Sequence, residues 1–132
     1  MRTMLTNDSL HSKLLDQLGP ELSAYLTKRS GDAVNLSRDD LLRLIFSNYR
    51  TLNGSPHGIR LSPLGNNLMS KKYNHYRYQH SGNVNNKAFI VLDKMMKWPY
   101  YLGRNTVTFY SEDDAAWFRL NGNDLNNYVE FL

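Results

Sequence analysis

Cysteine is absent from this 132-residue chain, which excludes disulfides, zinc–thiolate sites and thiol nucleophiles. No apolar run approaches the roughly 18 residues that a membrane span needs, so no membrane partner is expected. The segment from Met1 to Asp8 has no apolar h-region, and no secretory leader is expected. Equally absent are a G-x-S-x-G nucleophile turn, a phosphate loop and a dinucleotide fingerprint. The four histidines, His11, His57, His75 and His80, form no helical H-x-x-x-H pair. His75 and His80 fall on opposite faces of a regular strand, so they cannot share a metal. Neither catalytic residue, metal nor cofactor is expected, and the chain is read as a non-enzyme.

Acidic residues are missing from the middle of the chain. Between Leu41 and Leu92 there is no Asp or Glu, whereas Arg43, Arg50, Arg60, Lys71, Lys72, Arg77 and Lys87 give that stretch a charge of +7. From Glu112 onward five acids face only Arg119, for a balance of −4. The whole chain carries +4. A basic middle attracts phosphate or another acidic partner, although solvated surface charge clusters in the same way.

With 41% hydrophobic and 12% aromatic residues, the chain can bury a core, and its length suits one domain spanning 1–132. Leu10, Leu14, Leu15 and Leu18 follow helical spacing behind Asp8 or Ser9 as cap. Gly19-Pro20 is read as a stop and restart, with a second helix to about Arg29, ended by Ser30-Gly31-Asp32. Ser37 is an N-cap candidate with Asp40 three residues on. Leu41, Leu44, Ile45, Tyr49 and Leu52 then predict a long amphipathic helix to Asn53-Gly54.

Gly58 to Leu61 reads as a short strand, and Ser62-Pro63 as the start of a helix to about Lys72, which Gly65 should weaken. Tyr73 to Gln79 reads as a strand with Tyr76 and Tyr78 on one face and Tyr73, His75 and Arg77 on the other. Residues 81–86 read as a loop. An apolar helix carrying Ala88, Val91, Leu92 and Met95 ends by Pro99. A hairpin turns at Gly103-Arg104-Asn105. Ser111 caps a helix whose first-turn acids, Glu112, Asp113 and Asp114, suit the helix dipole. Leu125, Tyr128, Val129 and Leu132 predict a last short helix. The expected fold is α+β: a helical N-terminal half, a small antiparallel sheet or hairpin, and short C-terminal helices.

The leading site candidate is the segment from Lys71 to His80, where cations alternate with tyrosines. Single-stranded nucleic acid is held by cations on phosphates and by bases stacked on aromatic rings. Arg60, Lys71, Lys72 and Arg77 are the expected phosphate contacts. Tyr73, Tyr76 and Tyr78 supply stacking or, in the plainer reading, packing, and His75 is counted with the same binding surface. The helix from Ser62 also carries Asn66, Asn67, Ser70 and Lys71, whose side chains suit base edges. It lies too far from the preceding helix for the roughly three- or four-residue turn of a helix-turn-helix, which leaves a winged-helix variant with an inserted strand as the open alternative. Trp98, Tyr100 and Tyr101 form an aromatic corner, which is either a protein-binding anchor or a packing junction.

The run Gly58-Ile59-Arg60-Leu61-Ser62-Pro63-Leu64-Gly65, with Leu68 and the tyrosine strand after it, resembles small uncharacterised proteins of tailed bacteriophages. Leu92-Asp93 leading to Pro99-Tyr100-Tyr101, then Phe109 and Leu120, is similar to the same pattern. The resemblance implies a phage-encoded protein acting in the host cytoplasm, with nucleic acid or a host protein, such as a polymerase or defence component, as partner.

Overall fold

The computed structural model describes residues 3–48, 59–80, 86–121 and 129–131. These contain five helices, α1 (Thr3–Ser30), α2 (Arg38–Ile45), α3 (Pro63–Lys72), α4 (Asn86–Met95) and α5 (Glu112–Asn121). Six strands accompany them: β1 (Phe46–Asn48), β2 (Ile59–Leu61), β3 (Tyr76–His80), β4 (Pro99–Leu102), β5 (Thr106–Phe109) and β6 (Val129–Phe131). The strands form one sheet in the order β1-β2-β4-β5-β3-β6. Only β2 and β4 run parallel; the other pairs are antiparallel. The fold is α+β, but the sheet is mixed and larger than the hairpin that local pattern suggests.

Alternation along the strands divides the molecule into two cores. Tyr100, Val107, Phe109 and Tyr78 face Leu92 and Met96 at the end of α4 and Ala115 and Phe118 of α5. On the other face, Ile59 and Leu61 pack with Leu14, Leu15, Leu18 and Leu22 of α1, Leu42 and Ile45 of α2, and Leu68 and Met69 of α3. Tyr101 and Tyr110, each one residue out of phase with the second core, join the first.

The Gly19-Pro20 break does not occur: α1 continues through Pro20 to Ser30. An interior proline removes the hydrogen bond to residue 16 and costs about 3 kcal/mol. Leu14, Leu18 and Leu22 lie on both sides of it and are fully buried. At roughly 1.5–3 kcal/mol for each buried leucine, the continuous stripe outweighs the local stop signal. The helix ends where Gly31 turns to φ +83° and donates its N–H to the Thr27 carbonyl at 2.9 Å, a left-handed cap that glycine adopts without strain.

The long helix from Ser37 is also shorter than its periodicity predicts. Ser37 does cap it, accepting from the Asp40 N–H at 3.2 Å, but the backbone turns extended at Phe46. The physical reason lies in Ser62. Its N–H reaches the Ile45 carbonyl at 3.1 Å, and its hydroxyl lies within reach of the Leu44 and Ile45 carbonyls. Those carbonyls would otherwise bond the next helical turn. Tyr49 and Leu52, assigned to that helix by spacing, lie outside the described residues.

The same serine caps α3, accepting from the Gly65 N–H at 2.9 Å. Gly65 is not the weak point that helix propensity suggests. A Cβ there would stand 1.8 Å from the Ile45 carbonyl oxygen, so only glycine lets α3 cross the end of α2.

Three further expectations change. Strand β3 begins at Tyr76, and Tyr73 instead ends α3 as its C-cap. Met95 is exposed, and the buried methionine is Met96. The predicted C-terminal helix is replaced at Val129–Phe131 by β6, which pairs with β3; residues 122–128, like the loop at 81–85, lie outside the described residues. The hairpin forms as predicted, with the Gly103 N–H donating to the Thr106 carbonyl at 2.8 Å.

Replacing Gly65 with Ala should destabilise the protein by about 3 kcal/mol or more, because backbone must move to relieve the contact. In an open helix the same change would stabilise by up to about 1 kcal/mol. Urea unfolding distinguishes the two, and a raised midpoint would refute the close crossing.

Candidate nucleic-acid interface

The candidate residues separate into an exposed ridge and a buried set. The C-terminal turn of α3 and the start of β3 form the ridge. Asn67 and Lys71, one turn apart on α3, are exposed, as are Lys72, His75 and Arg77. Cations at a helix C-terminus also offset its partial negative charge, which accounts in part for Lys71 and Lys72. Lys72 is further tied back to α1: its ammonium lies 3.0 Å from Glu21 and 3.4 Å from the Gln17 carbonyl. His75 lies beside Tyr110, with ring centroids 6.2 Å apart. His75, Tyr76, Arg77 and Tyr78 line an open depression of about 330 Å³.

The tyrosines do not share this exposure. Tyr78 is 6% exposed and packs against Phe109 and Phe118. Tyr76 is half-buried against the same core. The Tyr73 hydroxyl donates to the Gln17 side chain, and its ring meets Trp98 edge-on at 6.0 Å. The strand pattern correctly placed Tyr76 and Tyr78 together, but on the face that the helices cover. Tyr78 is therefore withdrawn from the contact surface.

The aromatic corner divides similarly. Tyr100 is fully buried and cannot anchor a partner, whereas Trp98 and Tyr101 are partly buried against the first core. The corner is held by Asp114, which accepts from the Lys97 and Trp98 N–H groups at 3.0 and 2.9 Å. Glu112 and Asp113 stay exposed at the start of α5, as dipole-offsetting acids should. Asp114 turns inward instead and joins α5 to the approach to β4.

Arg60 is removed from the ridge by a partner that periodicity did not reveal. Its guanidinium lies 3.8 Å from Asp93, and Asp93 also accepts from the Tyr100 hydroxyl. The register places Arg60 beside Tyr100 across β2 and β4. Burial lifts the Asp93 carboxyl above its usual range, and the Tyr100 hydrogen bond and the Arg60 charge only partly offset that. Burial raises the Tyr100 hydroxyl well above its ordinary value, and the Asp93 charge adds to the effect. One sequence signal pointed here: Asp93 is the single acid between Leu41 and Ser111.

Tyr110 fixes the ridge to the sheet. Its hydroxyl lies 2.8 Å from the Ser70 hydroxyl and bonds Asn66 at both its carbonyl and its side chain. Asn66 and Ser70 are thus engaged inside the fold, while Asn67 and Lys71 remain outside. Among the described residues, no group of three or more His, Asp or Glu side chains is placed to hold a metal ion, and no helix is long and apolar enough to cross a membrane.

No family model, curated protein or solved structure matches the chain.

The Asp93 carboxyl makes stability depend on pH with a defined sign. Its native value is raised, so the folded state holds the proton to higher pH than the unfolded chain. Acidification therefore stabilises the fold through this group, starting at its raised native value and ending below the usual 3.8. Asp93→Asn removes that contribution. In urea titrations at pH 7 and pH 4.5, the wild type should gain stability relative to the variant at the lower pH. A constant difference would refute the assignment.

Proposed function

We propose that this chain is a small non-enzymatic nucleic-acid-binding protein that holds phosphates on the ridge formed by the end of α3 and the start of β3. The observation that carries this reading is the exposure of Asn67, Lys71 and Lys72 on α3 and of His75 and Arg77, which line an open depression at the start of β3, within a stretch of the chain free of acids. Cations and amides of this kind are the usual phosphate contacts. Lys71 and Arg77 are the principal cations of the site. Lys72 contributes less, because Glu21 already neutralises part of its charge. Arg60 contributes through the fold rather than by contact.

The phage resemblance fits this function and sets it in a host cytoplasm. Binding and modulation of a host protein is the alternative, with Trp98 and Tyr101 as its contacts. It has less support, because the aromatic corner spends much of its surface on the first core.

Two or three phosphate contacts give a log–log salt slope of about −2 to −3. Fluorescence anisotropy with labelled oligonucleotides, from about 50 to about 200 mM salt, reads it directly. Lys71→Ala and Arg77→Ala should each weaken binding at all sequences and reduce the slope by about 1. Lys94→Ala, an exposed position on α4, should leave both unchanged. Unaltered affinity in both ridge variants would refute the site.

A further inference from the structure

We infer that the ridge engages the backbone of a double helix rather than the bases of a single strand. The inference rests on the nucleic-acid reading above and narrows its ligand class. Binding to single strands draws much of its strength from aromatic faces open to bases, at roughly 1–3 kcal/mol per stacked base. The tyrosines nearest the ridge are largely committed to packing, which leaves the smaller ring of His75 exposed there. Tyr78 lies between Phe109 and Phe118, Tyr110 is 7% exposed and bonded to Asn66 and Ser70, and Tyr73 is held by Gln17 and Trp98. Half-buried Tyr76 is packed against the second core.

The surface keeps charge and amides instead: Lys71, Arg77, Asn67 and Gln79 are exposed. Asn67 and Lys71 are about 6 Å apart along α3, and Arg77 and Gln79 about 7 Å apart on one face of β3. The two rows suit sugar–phosphate contacts, which need donors and charge but no ring. Lys71, Lys72 and Arg77 are the exposed cations of the ridge among the described residues, so its cations are few. Such a patch gains most from the densest phosphate array. A duplex offers one charge per roughly 1.7 Å of axis, twice that of either strand alone.

The test titrates the full chain with labelled duplex DNA, duplex RNA and the matching single strands, at equal length and about 50 mM salt, by anisotropy and intrinsic fluorescence. The expected result is at least about tenfold tighter binding to one or both duplexes than to their strands, with tyrosine and tryptophan emission unquenched. On duplex, Arg77→Ala should weaken binding by about three- to tenfold. Single strands that bind as tightly as duplexes, or that quench the emission, overturn this inference and leave the nucleic-acid reading standing. Failure of every oligonucleotide to bind overturns both.

Discussion

The Ile45 carbonyl is the point on which the two halves of this protein turn. It ends α2 by accepting from Ser62 instead of from the next turn of its own helix. Ser62 in turn starts α3. Gly65, with no side chain, lets α3 pass directly over that oxygen. One backbone acceptor thereby stops one helix, holds the serine that caps another and sets their separation. The consequence is carried along α3 to its far end, where Asn67 and Lys71 face outward while Leu68 and Met69 lock into the first core. Tyr110 holds the same helix from the sheet side through Asn66 and Ser70. The ridge is consequently positioned by the core.

Much of this was legible locally and much was not. Ser37, Ser62 and Ser111 were recognisable as caps because a cap needs only a side-chain oxygen a few residues before an N–H. The hairpin was legible because its turn chemistry is local. The length of α2 was not, since the competing donors come from Ser62, 17 residues away. Continuity through Pro20 was hidden for the same reason: the local rule weighs one lost hydrogen bond, while the fold weighs a buried leucine stripe. Val129–Phe131 has apolar residues compatible with either period, and only pairing with β3 selects the strand.

The candidate site shows the same division. Alternation correctly separated Arg77 from Tyr76 and Tyr78, and the charge pattern drew attention to Lys71. It did not say which face would be covered. Two helices pack on the tyrosine face, so the residues that read as stacking platforms became the core, and the cations between them became the surface. A strand that alternates arginine and tyrosine has two coherent uses, and tertiary packing chooses between them.

Asp93 explains why the basic middle of the chain does not act as one patch. Arg60 and Tyr100 are neighbours in the register of β2 and β4, on the face covered by α4 and α5. An arginine turned toward a core needs a partner, since a charge left without compensation in a low-dielectric interior is strongly unfavourable. Asp93 meets that need while accepting from the Tyr100 hydroxyl. Burial works against the carboxylate, as its raised pKa records, so the network orients the α4–sheet junction more than it adds stability. The single acid in a long basic stretch is spent inward on Arg60, which faces the core. Arg77, on the opposite face of its strand and exposed, keeps its charge for solvent or for a ligand.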